Sequence, residues 1–315
     1  MSIKTSIIGD SVNPIGVRLT SFILTYPRFI HAEFMTHRVF SRSAASSRAI
    51  PLRKMAEATK SNPAAPEYWG AEQRGMQAGG ELNEYDKGLV KDVWEAAGNQ
   101  ASEFATALGH LGTHKQIANR LLEPFAHITV LATATDAGLS NFFALRAHPM
   151  AQPEFQVLAY RMLDQYMHST PNKLEWGQWH VPQFRHAEYS GIGLGDDNDE
   201  GTPIEDRLKI ATARCARLSY LTFDGEHSPA KDIELHNRLA ESGHWSPFEH
   251  CAQAVTGHEY PKSNFDNVSI SDGPQGIGIG GLSHWMQYRK QFFCENIASI
   301  NQPEVMSRKP DWITL

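Results

Sequence analysis

The sequence predicts an α+β fold, a mainly antiparallel sheet with helices packed on it. Three observations carry this expectation. The runs Ile3–Ile8 and Val17–Leu24 are apolar and β-branched, and Gly9-Asp10 and Asn13-Pro14 break them. Ala126–Thr135, AHITVLATAT, alternates as a half-buried strand does. The other long segments carry apolar residues at helical spacing.

The elements follow in order. Phe29–Met35 reads as a short apolar helix starting near Pro27, and it feeds a polar loop of Ser, Ala and Arg over Ser41–Ala49. Residues 62–80 are rich in Pro, Gly, Ala and Gln and read as a long surface loop. Leu89, Val93, Ala97, Gln100, Phe104, Ala107 and Leu111 then share one face of a long helix. A second helix, His114–Leu122, ends at Pro124. After the third strand, Asp136-Ala137-Gly138 turns the chain into residues 140–146. A helix beginning near Pro153 carries Phe155, Leu158, Met162 and Tyr166 on one face.

The Gly- and Asp-rich stretch Ser190–Pro203 is the best boundary in the chain. It divides residues 1–190 from 204–315, with 191–203 as linker. Thr202-Pro203-Ile204-Glu205 has the form of a capping box, and its helix carries Ile204, Leu208, Ala211, Cys215 and Leu218 as a buried stripe. Arg214 and Arg217 near its end suit the helix dipole. A further helix runs from Ser228-Pro229 to Gly243, followed by a strand over Cys251–Val255. Gly273–Gly281 is a glycine loop without the spacing of a dinucleotide fingerprint. Ser283–Phe293 reads as a last helix.

Composition narrows the function. Among 315 residues, 41% are hydrophobic and 20% charged, as in soluble globular proteins. No apolar run approaches the ~20 residues of a membrane helix, and the N-terminus lacks a secretion signal's apolar core. Cys215, Cys251 and Cys294 form no disulfide framework or Cys-x-x-Cys site. A reduced, cytoplasmic protein is expected. The pairs His110/His114 and His180/His186 lack a carboxylate placed for zinc, so no metal is expected.

One stretch stands out against the formal net charge of −6: Arg28–Arg53 holds Arg28, Arg38, Arg42, Arg48 and Arg53, plus His31 and His37, against the single acid Glu33. A cationic segment in an acidic chain suggests a local anion site. Within it, His37-Arg38-Val39-Phe40-Ser41 followed by Ser46-Ser47-Arg48 resembles the signature of the flavin-dependent thymidylate synthases. Thr36, Ser43 and Ala44 stand where that signature has Arg, Asn and Glu, and Glu33 where a Gln precedes it. Three further blocks extend the resemblance. They are Ser140-Asn141-Phe142-Phe143-Ala144-Leu145-Arg146 with Ala151-Gln152, Arg217-Leu218-Ser219-Tyr220, and Gly243–His250 (GHWSPFEH). The last two come N-terminally in the family, so the order here is that of a circular permutation.

The resemblance implies reductive methylation of dUMP at C5, with methylenetetrahydrofolate as carbon donor, FAD as hydride carrier and NADPH as reductant. It implies an active site assembled between the subunits of a homotetramer; this longer chain leaves a dimer open. No nucleic acid polymer and no membrane is implied as a partner. It places FAD against His37, Arg38, Asn141, Ser219, Ser246 and Glu249, with His244 near folate and flavin. The nucleotide falls to Ser46, Ser47, Arg48 and Arg120. Arg146 is the catalytic candidate: a guanidinium against the N3–C4=O edge of uracil stabilises the anion that makes C5 nucleophilic. Trp285-Met286-Gln287-Tyr288-Arg289 echoes a family segment and makes Gln287 and Arg289 candidates for the positions left vacant at Thr36 and Ala44.

Each residue also has a plainer reading. Arg120 and Arg146 suit helix-surface ion pairs. Asn141 and Ser246 suit helix caps, and Glu249 a capping box. Two other activities fit the same blocks: hydroxymethyl transfer to a deoxynucleotide, and nucleotide binding without catalysis.

Overall fold

The computed structural model describes residues 3–182, 202–218, 228–256, 284–292, 306–310 and 313. Its fold is α+β. Strands β1 (Lys4–Val12) and β2 (Arg18–Pro27) form an antiparallel hairpin, with a register shift between Ile7 and Gly9. The break at Gly9-Asp10 is therefore a bulge inside β1. The reversal falls at residues 13–16, where Gly16 takes a φ of +90° that other residues resist. After a 3-10 turn at Arg28–Ile30 comes the single-turn helix α1 (His31–Phe34). Strand β3 (Ser41–Ala44) follows, where the sequence reads as loop. Its partner β4 (His127–Thr135) also pairs with β2, both antiparallel, and β5 (Asn172–Lys173) adds a parallel edge to β1. The sheet order is β3-β4-β2-β1-β5.

Alternation gives this sheet two different faces. One face carries Phe22, Leu24, Tyr26, Val130, Ala132 and Ala134. Onto it pack Phe34 of α1, Phe40, helix α5 (Asp136–Arg146) and helix α6 (Pro153–His168). Asp136-Ala137-Gly138 is thus the first turn of α5, capped by Thr135, whose Oγ1 accepts from the Gly138 N–H at 3.5 Å. On the other face, Ile8, Ile23 and Leu131 meet Cys215 and Leu218 from helix α7 (Ile204–Arg217). Between these apolar groups lie Ser21, Ser43 and Thr133, all buried.

The remaining helices form a satellite layer. Helix α2 (Leu52–Ser61) has no clear counterpart in the sequence pattern. It packs on α3 (Glu84–His110), and both contact the single turn α4 (Lys115–Ala118) or the 3-10 stretch Asn119–Phe125 after it. The expected α3 stripe is not the buried one. Leu89, Val93, Phe104 and Leu111 are 49, 70, 58 and 82% exposed, while Gly98, Ser102 and Ala105 face inward. Close approach explains the choice: a Cβ on Gly98 would lie 3.3 Å from Phe125. The loop 62–80 is irregular, closed by a bridge between Gly70 and Glu81.

A second, three-stranded antiparallel sheet joins β6 (Trp179–His180), β7 (Ala252–Ala254) and β8 (Trp285–Gln287). The expected last helix is therefore a strand plus a 3-10 turn at Tyr288–Gln291. Pairing with β7 buries Trp285 and Gln287 completely, and that tertiary gain overrides the local spacing. Two further expectations fail at α7. Thr202 gives no cap, and Ile204 is 41% exposed. Arg214 and Arg217 do lie in the last turn of α7, as expected. Both reach Asp232 of helix α8 (Pro229–Glu241), from Nε at 3.1 and 2.7 Å, in an entirely buried cluster. Helix α8 begins on the expected Ser228 cap. The linker 191–201 and the glycine loop 273–281 lie outside the described residues. No described helix is long and apolar enough to cross a membrane.

Asp232→Ala deprives two buried guanidinium groups of this counter-charge. Urea unfolding is expected to show a loss of about 3–5 kcal/mol, the range for a broken buried pair. A loss near that of exposed pairs, below about 1 kcal/mol, contradicts the buried clamp.

Candidate active site

Arg146 is the last residue of α5, and three neighbours fix its guanidinium. Its Nε donates to His37 Nε2 at 2.9 Å, one Nη pairs with Glu33, and the ring of Phe155 lies 4.7 Å from its Cζ. The other amino group, Nη2, has no hydrogen-bond partner among the described residues. His37 sits edge-on to Phe142, with ring centroids 4.9 Å apart, and touches Phe34 and Phe40. Burial, then the charges of Arg146 and Arg42, push its pKa down to about 4. A neutral imidazole is what an acceptor for Arg146 requires.

A second cluster forms where β3 meets the C-terminal part. Gln287 Nε2 donates to Ser41 Oγ at 2.9 Å, and the Ser41 hydroxyl lies near enough to Glu249 to favour its ionised form. Glu249 pairs with Arg289. Burial raises the Glu249 pKa despite Arg289, Ser41 and Lys290. Arg42, beside Ser41, donates to the carbonyl of Met35 at 2.6 Å; burial lowers its pKa against the nearby Glu249 charge. A third cluster centres on Glu123. It accepts from Ser47 Oγ at 2.6 Å and from Arg120 at 3.1 Å, and pairs with Arg28 at 3.2 Å. Burial opposes its ionisation, yet Ser47, Arg28 and Arg120 together lower its pKa.

The structure therefore joins His37 to Arg146, Gln287 and Arg289 to Glu249, and Ser47 to Arg120. It does not join Arg48 to Arg146. Arg48 and Arg38 are exposed, and their side chains have no hydrogen bond or ion pair among the described residues. Ser46 is half-buried. Asn141 is exposed in the middle of α5, not at a cap. Ser246 is exposed at the start of a 3-10 turn, Ser246–Glu249, and His244 is exposed beside Ser242 Oγ at 2.8 Å. Ser219 and Cys294 lie outside the described residues, while Cys215 and Cys251 are buried. Among the described residues no His, Cys, Asp and Glu group could hold a metal.

The sequence marks Ser41 and Arg42 only as members of the signature and of the cationic stretch, and it does not mark Glu123. Glu33 did carry a signal, as the only acid in the cationic stretch. An anionic dinucleotide fits the chemistry present. Among the described residues, Arg38 and Arg48 offer cations with no counter-charge, Arg146 offers an open donor, and Gln287 Oε1 is a buried acceptor without a partner.

Burial holds four histidines well below their ordinary pKa: His31, His37 and His180 at about 4, and His250 at about 3. Between their ordinary value near 6.5 and those depressed values, the unfolded chain binds more protons than the folded one. Stability is therefore greatest above ordinary histidine pH and falls as pH drops through 6.5 towards 4. Unfolding near pH 5 is expected to take up about four protons, read from the slope of unfolding free energy against pH. A flat profile from pH 7 to 5 contradicts the buried neutral rings.

Comparisons with known proteins add to this geometry. No curated protein matches. Among solved structures, a UMP/dUMP methylase, PolB from Streptomyces cacaoi, is similar in two forms, bound with 5-Br UMP and with 5-Br dUMP. Each is 17% identical and covers 52% of this chain and 88 or 89% of that one, with TM-scores of 0.45 and 0.44. Thymidylate Synthase X (ThyX) from Helicobacter pylori, solved with FAD and dUMP, is 20% identical. It covers 47% of this chain and 67% of that one, with a TM-score of 0.34. The family model of Thy1, thymidylate synthase complementing protein, matches residues 16–172. That span contains His37, Arg48 and Arg146 and leaves Glu249, Gln287 and Arg289 outside it. Through this match over about half its length, the chain belongs to the Thy1 family.

Proposed function

We propose that this chain is a flavin-dependent thymidylate synthase, transferring a one-carbon unit from methylenetetrahydrofolate to C5 of dUMP in the cytoplasm. NADPH is the reductant. The observation that carries the reading is Arg146: a guanidinium immobilised by Glu33, His37 and Phe155, with one amino group still open. Placed against the N3–C4=O edge of uracil, that group donates to the carbonyl oxygen and stabilises the anion that makes C5 nucleophilic. Glu33 and His37 hold it there without reorganisation. FAD, when bound, supplies the hydride transfer that no side chain performs.

The other residues take supporting roles. Arg48, which has no counter-charge among the described residues, takes the nucleotide phosphate, with Ser46 beside it. Arg120 and Ser47 are already engaged by Glu123, so they act by shaping that loop unless the carboxylate is displaced. His37, Arg38, Asn141, Ser219, Ser246 and Glu249 face FAD in this reading, and His244 stands near the folate. Gln287 and Arg289 replace what Thr36 and Ala44 lack: they bind Ser41 and Glu249 from the C-terminal part. A homo-oligomer fits as well, since a second copy would cover the exposed α3 stripe.

Purified protein tests this directly. A flavin absorbance bleached by NADPH, and conversion of dUMP to a product heavier by one CH2, are expected. A product heavier by CH2O instead makes the enzyme a hydroxymethylase, and a colourless protein that ignores added FAD overturns the reading. Arg146→Lys keeps the charge but loses the fork, and is expected to lower kcat by about 10²–10³ while the flavin stays bound. Unchanged kcat removes Arg146 from catalysis. Arg289→Ala is expected to weaken dUMP and FAD binding in calorimetric titrations; unchanged affinities remove Arg289 from the site.

A further inference from the structure

On the sheet face opposite α5 and α6, six side chains form an unbroken hydrogen-bonded line. Ser43 Oγ lies 3.0 Å from His250 Nε2, and His250 Nδ1 lies 2.9 Å from Thr133 Oγ1. Thr133 Oγ1 is 2.6 Å from Ser21 Oγ, which is 2.9 Å from His180 Nε2. His180 Nδ1 is 2.9 Å from Ser11 Oγ. The line crosses four strands, β3, β4, β2 and β1; its two imidazoles come from β6 (His180) and from the end of the 3-10 turn Ser246–Glu249, two residues before β7 (His250).

Its two ends differ from its middle. His250, Thr133, Ser21 and His180 are 0 or 1% exposed, whereas the terminal Ser43 and Ser11 are 8 and 4% exposed. Ser11 lines a cavity of about 720 Å3, together with Asp10, Trp179, Arg207 and Gln253. Ser43 lies two residues along β3 from Ser41, on the same side of the strand, next to the Gln287–Glu249–Arg289 cluster.

We propose that this line is a proton relay between the Ser11 cavity and the candidate active site. Every member can both donate and accept, so the line can be polarised in one sense from end to end. Polarised towards the site, Ser11 donates to His180 Nδ1, and His180 Nε2–H donates to Ser21. Ser21 then donates to Thr133, Thr133 to His250 Nδ1, and His250 Nε2–H to Ser43. A proton accepted by Ser11 from water moves each of these hydrogens one bond forward, and Ser43 releases its own. One proton enters, one leaves, and every member is neutral again with its polarity reversed. Neutral imidazoles, one nitrogen protonated and one not, are required for this.

The proposal rests on the methyl-transfer reading, whose chemistry needs such traffic. As the C5–carbon bond forms, C5 loses a proton. As the two folate C–N bonds break, two nitrogens each gain one. One outward and one inward passage per turnover return every hydroxyl and tautomer to its starting state. The remaining proton enters with the reductant, as NADPH plus a solvent proton.

Thr133→Val cuts the line at its centre with little change of shape. The first readout needs no substrate or flavin: exchange of the His250 ring N–H with water, by NMR of ¹⁵N-histidine-labelled protein. Exchange is expected to slow by about tenfold or more in Thr133→Val and to recover in Thr133→Ser. Equal exchange in wild type and Thr133→Val overturns the relay, whatever the melting temperatures show, and leaves a purely structural network. If Thr133→Val does not fold, Ser21→Ala interrupts the adjacent link and is read the same way. The second readout is turnover. Thr133→Val is expected to lower kcat about tenfold or more with KM for dUMP unchanged, and to raise the solvent isotope effect. Unaltered kcat and isotope effect overturn the relay's role in turnover. A wild-type protein that neither binds flavin nor turns over dUMP overturns the functional reading, and the exchange measurement still decides the relay.

Discussion

Strand β4 is buried on both faces, and the two halves of the candidate site hang from its two sets of side chains. Val130, Ala132 and Ala134 build the apolar layer that seats α5, whose last residue is Arg146. Thr133, pointing the other way, takes the ring of His250, and His250 adjoins Glu249. A change of one residue in register would exchange these faces and separate the two halves. The polar residues of the second face are tolerated because each has a partner: hydroxyl meets imidazole along the sheet, so burial leaves few donors or acceptors stranded.

Charge is handled in one consistent way. Three acids each hold an arginine that the sequence singles out: Glu33 holds Arg146, Glu123 holds Arg120, and Glu249 holds Arg289. The pairing orients each guanidinium and lowers its net attraction for a ligand. That leaves Arg38 and Arg48 as the exposed cations of the signature stretch without counter-charge among the described residues. A nucleotide therefore meets a site with fixed hydrogen-bond donors and few free charges, which favours recognition by geometry over recognition by field strength.

Most of the first sheet was legible. The β1–β2 hairpin, β4 and α6 announce themselves through alternation, turn residues and the Pro153 start. The long helix α3 was equally clear, but not its inward face, because small residues were selected for close packing and the apolar stripe was left outside. Strand β8 was misread as a helix, since its partner β7 lies more than thirty residues away and no local pattern encodes that pairing. For the same reason the site was half legible. Arg146 and His37 could be named from their blocks, yet their contact, and the bond of Gln287 to Ser41, join segments far apart in the chain. The relay was invisible in sequence: Ser, Thr and His scattered over six positions carry no spacing rule.

The account's centre is the guanidinium of Arg146 lying against the pyrimidine's imide edge. The most direct measurement is ¹⁹F NMR of 5-fluoro-dUMP bound to the protein, titrated with pH to follow its N3 proton. With the guanidinium there, the bound ring ionises at lower pH than the free nucleotide, because the charge stabilises the anion. A bound nucleotide that ionises at its free value, or at higher pH, contradicts the placement of Arg146 and with it the proposed chemistry.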